Sequence, residues 1–164
     1  LVAGQWPPKL KVLDKPLQKY LLPDGERRVR VVAKEHPDAM RAVTLVKVRG
    51  SLPASAEQPL GDFSLLEVTI KTGRTHQIRV HMAYVKHPLI GDPLYGGSFK
   101  LPKAATEALV EALRGFRRQA LHAEKLSFTH PVSGDTLSFE SPLPADMVAL
   151  IDTLRDDTRQ FSAA

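Results

Sequence analysis

The stretch FSLLEVTIKTGRTHQIRVHM (Phe63–Met82) changes its pattern of apolar residues halfway along. In its first part Leu66, Val68 and Ile70 alternate with polar residues, which indicates a strand with one buried face. After Thr75 the apolar residues recur at helical spacing. Threonine is a good N-cap, so the helix is expected to begin there. The stretch therefore predicts a strand that runs through a glycine turn into a helix.

The remaining pattern predicts an α+β fold: a mixed, mostly antiparallel β-sheet with flanking helices. Residues 5–26 are interrupted by prolines and predict an irregular loop, and the polar residues 51–62 predict a flexible connection. The other predicted elements are short strands at Arg27–Ala33 and Arg41–Gly50, an amphipathic helix at Lys103–Phe116, a strand pair around a turn at Ser133–Asp135, and a last helix from Pro144 with an apolar stripe of Met147, Leu150, Ile151 and Leu154.

Composition sets limits on the class of protein. A chain of 164 residues with 43% apolar content is large enough to bury a core. No run of apolar residues is long enough for a transmembrane helix. The sequence contains no cysteine, which excludes disulfides and thiolate metal sites and is compatible with a reducing cytoplasm.

Positive charge is concentrated at the start of the chain. Residues 1–50 carry 11 Lys and Arg against 5 Asp and Glu, whereas residues 101–164 have a small acidic excess. A basic half is typical of a protein that presents one face to an anionic partner, and nucleic acid is the obvious candidate. Charge alone leaves open the simpler interpretation of a basic soluble protein.

The residues around the turn at Gly73 suggest two kinds of ligand site. His76, His81, His87 and Asp92 suggest a metal site, and with it a metal-dependent nuclease, but their spacing does not bring ligands to one face of a helix or strand. An anion such as an RNA phosphate fits better, because the free backbone N–H groups of a helix N-terminus bind anions. A helix cap with solvated arginines explains the same residues equally well.

Three segments resemble a known family: TGRTHQIRVHM with HPLIGDPLYGG, LHAEKLSFTHPVSG, and FESPLP. Together they are similar to the C-terminal half of the RluA-type pseudouridine synthases, over Leu1 to about Leu154. Within that family the chain resembles the enzymes for large-subunit ribosomal RNA, with residues 5–31 closer to the C type and residues 102–123 closer to the D type.

The resemblance implies that residues 1–164 form the C-terminal part of a single pseudouridine synthase catalytic domain. The family's nucleophile is the aspartate of a His-Arg-Leu-Asp-x-x-Thr-Ser-Gly motif, which does not occur in the 164 residues. The N-terminal part, with this motif and a possible S4-like domain, is therefore expected outside the chain. The implied function is isomerisation of specific uridines in large-subunit ribosomal RNA, without cofactor, metal or membrane, by a cytoplasmic enzyme that is monomeric at full length. The alternative is a non-catalytic RNA-binding module.

The resemblance also assigns roles to single residues. Arg79 is expected to be the ion-pair partner of the catalytic aspartate outside the chain, with a purely structural ion pair as the alternative. Asp92 and Tyr95 are expected to form a turn and to pack. The residues expected to contact RNA or the target base are Arg74, Thr75, His76 and Gln77 at the helix entrance, and Leu121 in the uracil pocket. For His76 and Gln77, local capping of the helix is the alternative.

Overall fold

The computed structural model describes residues 1–49, 63–97 and 100–162, with side chains as far as residue 160. The connection predicted at residues 51–62 lies outside these ranges. The described elements, in chain order, are β1 Val2–Ala3, β2 Val12–Asp14, β3 Leu17–Leu21, β4 Arg27–Val31, β5 Val43–Val48, β6 Phe63–Ser64, β7 Leu66–Ile70, α1 Gln77–Tyr84, α2 Glu107–Gly115, β8 Lys125–Thr129, β9 Thr136–Glu140 and α3 Ala145–Ser162.

All pairings between these strands are antiparallel, which confirms the predicted α+β class. The central sheet has the order β2-β5-β7, and three two-stranded ribbons pair β1 with β6, β3 with β4, and β8 with β9. Alternation along β7 follows the prediction in part: Leu66 and Val68 pack against buried residues, whereas Ile70 at the strand end is exposed.

The prediction of an irregular loop over residues 5–26 is wrong, because this segment contains β2 and β3. Pro16 lies between the two strands, where its missing N–H interrupts no ladder. On β3, Leu17 is completely buried while its neighbours Lys19 and Leu21 are exposed at the end of the ribbon. Cross-strand pairing with β4 therefore outweighs the local signal of the prolines.

Helices α2 and α3 pack against each other around one of the apolar clusters formed by the described residues. The predicted stripe of α3 is confirmed, because Met147, Leu150, Ile151 and Leu154 are all buried. Helix α2 begins at Glu107, four residues later than predicted, since the side chain of Thr106 accepts a hydrogen bond from a backbone N–H of the first turn. None of the described helices is long and apolar enough to cross a membrane.

Helix α1 lies across the ribbon of β3 and β4. Its Val80 packs with Leu17, Val29 and Ala42, while Met82 on the neighbouring part of the helix belongs to a second cluster under the central sheet. Burial on two sides fixes the axis of α1 relative to both sheets. The polar residues at its N-terminus are thereby held at one edge of the fold.

Candidate functional site

The entrance of α1 differs from the sequence prediction. The helix begins at Gln77, and its N-cap is His76 in the left-handed conformation (φ 52°), with no hydrogen bond from a capping side chain. The prediction that Thr75 caps the helix is therefore wrong, and Thr75 lies exposed in the preceding turn. A non-glycine residue at positive φ is costly and persists only where surrounding contacts hold it.

Gln77 supplies those contacts. Its Oε1 accepts hydrogen bonds from Thr72 Oγ1 (2.8 Å) and from the backbone N–H of Arg74 (3.1 Å). Its Nε2 donates to the Val43 carbonyl and to Thr44 Oγ1, both at 3.0 Å. These four hydrogen bonds, two accepted and two donated, use the full hydrogen-bonding capacity of the amide. The Gln77 side chain is also buried. These bonds give Gln77 a structural role, in which the amide ties the turn to β5, and its contact with RNA remains a prediction.

Arg74 remains available to a ligand. It is exposed, and its Nε donates to the backbone carbonyl of Arg41 at 2.9 Å. Its two terminal nitrogens make no hydrogen bond to the described residues. This one bond orients the guanidinium beside the helix entrance without consuming its charge, which suits contact with a phosphate.

Arg79 forms a two-point ion pair with Asp92. Nε of the guanidinium donates to Oδ2 at 2.9 Å and Nη2 donates to Oδ1 at 2.7 Å, in the fork geometry that suits a carboxylate. The Asp92 side chain is 1% exposed and that of Arg79 is 10% exposed. Nη1 takes no part in this fork and makes no hydrogen bond to any residue that the structure describes. One nitrogen of an otherwise immobilised guanidinium is thus left unused.

Asp92 also forms the turn that was predicted for it. Its Oδ1 accepts from the backbone N–H groups of Leu94 (2.9 Å) and Tyr95 (3.1 Å), and Gly96 closes against its carbonyl. Burial acts to raise the pKa of the Asp92 carboxyl, but the hydrogen bonds from Arg79 and from these two N–H groups outweigh it and leave the pKa below its usual value. The hydrogen bond with Asp92 raises the pKa of Arg79 against the effect of burial.

Tyr95 joins the ion pair to the helix entrance. Its hydroxyl accepts from the Val29 N–H (3.1 Å) and lies 2.8 Å from His76 Nδ1, and its ring lies 5.1 Å from the Arg79 guanidinium carbon. When the Tyr95 hydroxyl donates to Nδ1, the proton of the neutral His76 ring is on Nε2. Burial, and then the charge of Arg79, lowers the pKa of His76, which keeps the imidazole neutral near pH 7.

His81, the second histidine of the stretch, is part of the core. It is completely buried, with Nε2 2.9 Å from the Lys15 carbonyl and Nδ1 2.8 Å from Thr44 Oγ1. A carbonyl only accepts, so Nε2 carries the proton and the hydroxyl donates to Nδ1. Burial lowers the pKa of His81, and its role is structural.

The metal interpretation gains no support from the geometry. Among residues 1–49, 63–97 and 100–160, no group of three or more His, Asp or Glu side chains could hold a metal ion. His87, the remaining histidine near the turn, has its Nδ1 2.8 Å from the Ala3 carbonyl.

Leu121 is half-buried and packs against the apolar cluster under the central sheet that also contains Met82 of α1. No hydrogen bond or distance in the described part of the chain relates it to Arg79. Its expected place in a uracil pocket therefore remains a prediction.

The pairing of Arg79 with Asp92 escaped sequence reasoning. The two residues are 13 positions apart and separated by the end of a helix, so no local period connects them. The available signal was the Gly-Asp-Pro sequence at residues 91–93, since an aspartate before a proline often organises a turn with its own side chain. No local signal identified the arginine that faces this turn.

Comparison with known proteins places the chain in a family. Residues 7–84 match the family model described as RNA pseudouridylate synthase. The chain is 48% identical over 135 residues to the ribosomal large subunit pseudouridine synthase D of Xanthomonas campestris, covering 82% of the chain and 38% of the relative. It is 42% identical over 148 residues to the protein of that name from Vibrio cholerae, covering 90% of the chain and 41% of the relative. It is 54% identical over 92 residues to the ribosomal large subunit pseudouridine synthase D of Escherichia coli K12, covering 56% of the chain and 28% of the relative.

Solved structures show the same fold. The human RNA pseudouridylate synthase domain containing 4 superposes with a TM-score of 0.64 at 24% identity, covering 94% of this chain and 59% of that one. The human RNA pseudouridylate synthase domain containing 1 superposes with a TM-score of 0.58 at 20% identity, covering 94% of this chain and 62% of that one. The chain belongs to the RluA-type family of pseudouridine synthases and has their fold. It spans about two fifths of the length of the Xanthomonas and Vibrio relatives.

Proposed function

We propose that this chain is the C-terminal part of the catalytic domain of an RNA pseudouridine synthase that isomerises specific uridines in large-subunit ribosomal RNA. The nucleophilic aspartate belongs to a His-Arg-Leu-Asp segment outside the 164 residues, together with any S4-like domain. The reaction proposed here needs neither cofactor nor metal, and the full-length enzyme is proposed to be a monomer in the cytoplasm, the compartment suited to a ribosomal RNA substrate. Sequence similarity to the D-type enzymes over most of this chain supports the substrate class.

The observation that carries the proposal is the geometry of Arg79. Asp92 holds Nε and Nη2 of its guanidinium, and Nη1 has no hydrogen bond within the described part of the chain. A second carboxylate can therefore approach Nη1 without displacing Asp92. The family model that matches residues 7–84 ends within the helix that carries Arg79.

The chemistry explains why an arginine is required there. Isomerisation breaks the C–N glycosidic bond, turns the base and rejoins it through carbon, which requires an ionised carboxylate nucleophile beside a base removed from its stack. Burial raises the pKa of that carboxylate and removes its charge at neutral pH. The positive charge of Arg79 opposes this effect. Asp92 fixes the direction of the guanidinium, so the charge does not have to be oriented in each catalytic cycle.

The residues at the entrance of α1 have a separate role. Arg74 presents two guanidinium nitrogens that make no hydrogen bond within the described ranges, and His76 presents Nε2 of a half-buried ring whose Nδ1 lies 2.8 Å from the Tyr95 hydroxyl. These donors suit a phosphate and a base edge of the RNA. Thr75, exposed between them, is included in the proposed contact surface.

The proposal is tested with the full-length protein that contains this chain and a transcript of large-subunit ribosomal RNA. We expect pseudouridine to form with the full-length protein and not with residues 1–164 alone. Absence of pseudouridine with the full-length protein rejects the function. Pseudouridine formed by the 164 residues alone places the nucleophile within them and rejects the division proposed above.

A second candidate is favoured by one observation: the nucleophile motif is missing from these 164 residues. On this alternative the chain grips RNA without catalysing a reaction. An upstream sequence that lacks the motif, combined with salt-dependent RNA binding by the full-length protein, supports this alternative.

A further inference from the structure

The ribbon of β3 and β4 has one polar face that the site above does not use. Strand alternation and the cross-strand pairs place Gln18, Tyr20, Arg28 and Arg30 on this face, which we call the ribbon face. Gln18 lies opposite Arg30, and Tyr20 lies opposite Arg28. The other face of the ribbon carries Val29 and its apolar neighbours into the core. The ribbon face therefore combines arginines with an aromatic ring.

The side chains of the ribbon face are held in place. The Arg30 guanidinium carbon lies 4.8 Å from the centre of the Tyr20 ring, and its Nε donates to Gln18 Oε1 at 2.9 Å. Gln18 is itself buried and reaches Asp38 at 3.4 Å. The two terminal nitrogens of Arg30 make no hydrogen bond to residues in the described ranges. A stacked guanidinium with two unused, parallel donors is suited to bidentate binding of a phosphate.

The ribbon face is continuous with the site around Arg79. Arg28 Nη1 donates to the Leu94 carbonyl at 3.3 Å, and the Val29 N–H donates to the Tyr95 hydroxyl at 3.1 Å. The turn that positions Arg79 is thus bonded directly to β4. The ribbon face and Arg79 are therefore joined through Leu94 and Tyr95.

Charge selects the kind of partner. Strands β3 and β4 contain one lysine and three arginines and no Asp or Glu. On the ribbon face Arg28 is paired with Glu26 at 3.0 Å and Gln18 reaches Asp38, whereas Arg30 has no acidic partner among the described residues. An excess of positive charge on a ribbon with an exposed arginine is complementary to a phosphate backbone. An acidic protein surface has the same sign of charge, but the continuity with Arg79 favours the RNA.

We propose that the ribbon face binds the backbone phosphate of a nucleotide flanking the target uridine, with Arg30 as the phosphate contact and Tyr20 as the residue that orients it. This inference rests on the proposed function, because it takes the RNA substrate as the occupant. It assigns to β3 and β4 a role in holding the RNA, separate from the chemistry at Arg79.

The test measures RNA affinity of the full-length protein at several salt concentrations. Arg30→Gln is expected to weaken binding several-fold and to reduce the slope of log affinity against log salt by roughly 0.7, the value for one contact to a single strand. Tyr20→Leu keeps the charge, so it is expected to weaken binding with little change of slope, whereas Tyr20→Phe keeps the ring and is expected to bind normally.

Two variants serve as matched controls. Lys19→Gln removes a charge from the opposite face of the same ribbon, and Arg114→Gln removes one from an exposed position of α2. The proposal would be overturned if Arg30→Gln changed RNA affinity and its salt slope no more than the two control variants do. It would also be overturned if Arg30→Gln bound RNA normally but lost binding to a protein partner. The outcome is distinguishable from failure of the proposed function. If the wild-type protein binds RNA through Arg30 but forms no pseudouridine, the surface stands and the activity does not.

Discussion

Arg79 and Asp92 form a buried ion pair with two short hydrogen bonds, 2.9 Å and 2.7 Å, that uses two of the three guanidinium nitrogens. The pair links α1 to the turn that follows it, and the same carboxylate accepts two backbone N–H groups of that turn. Asp92 therefore stabilises the local fold and at the same time orients Arg79.

The structural part of this role predicts a large loss of stability. Asp92→Ala leaves a buried guanidinium without a partner and is expected to lower the free energy of unfolding by about 3–5 kcal/mol. The double variant Asp92→Ala/Arg79→Met removes the unpaired charge and is expected to recover part of the loss. Urea unfolding of the wild type, both single variants and the double variant measures the coupling. Additive losses would contradict the ion pair.

Two rings whose pKa values burial lowers, those of His76 and His81, make stability depend on pH. Each ring binds protons more readily in the unfolded chain, so the free energy of unfolding is expected to rise with pH in the acid range. The histidine part is lost as pH falls below about 6.5, their ordinary pKa.

The matched variant is His81→Gln, which replaces the ring by a group that does not titrate. It is expected to lower stability and to flatten the profile below about pH 6.5, where the smaller contribution of His76 remains. Urea midpoints at half-unit steps of pH measure both profiles. An unchanged slope in the acid range would show that His81 does not contribute.

Much of this architecture was predictable, for identifiable reasons. The stripe of α3 and the hairpin of β8 and β9 have strong periods and clear turns, and both are confirmed. Residues 5–26 were misassigned because strand pairing with distant residues outweighs local proline signals. The cap at Thr75 was misassigned because Gln77 reaches back to the turn, an interaction that a cap rule based on single residues does not include. Arg79 was found from the motif, but its partner Asp92 required the fold.

The hairpin of β8 and β9 predicts association of the 164-residue chain. Leu126, Phe128 and Phe139 lie on one face and are 59%, 42% and 55% exposed. An apolar face of this kind favours association, here with a second copy. Leu126→Glu is expected to shift sedimentation towards the monomer, whereas Thr129→Glu on the opposite face is expected to leave it unchanged. Equal effects of the two variants would show that the apolar face is not the interface.

RNA binding predicts a role for Arg74 that differs from that of Arg79. Arg74→Ala in the full-length protein is expected to weaken RNA binding several-fold and to reduce its salt dependence, because a phosphate contact is lost. The single-turnover rate at saturating RNA is expected to stay near that of the wild type. Affinity titrations between dilute and physiological salt provide the measurement, with Arg114→Ala as control. A salt-independent affinity of the wild type would exclude phosphate contacts as its basis.

The central claim is that Arg79 keeps the nucleophilic aspartate ionised, and the pH profile of a single variant tests it most directly. In full-length Arg79→Gln, checked to be folded, the pKa of the unpaired aspartate rises, so less of it is ionised at neutral pH. The single-turnover rate at saturating RNA is expected to fall strongly at pH 7 and to recover in part at higher pH, with RNA affinity near that of the wild type. A rate equal to the wild type at pH 7, or a loss that is the same at every pH, would contradict the assignment.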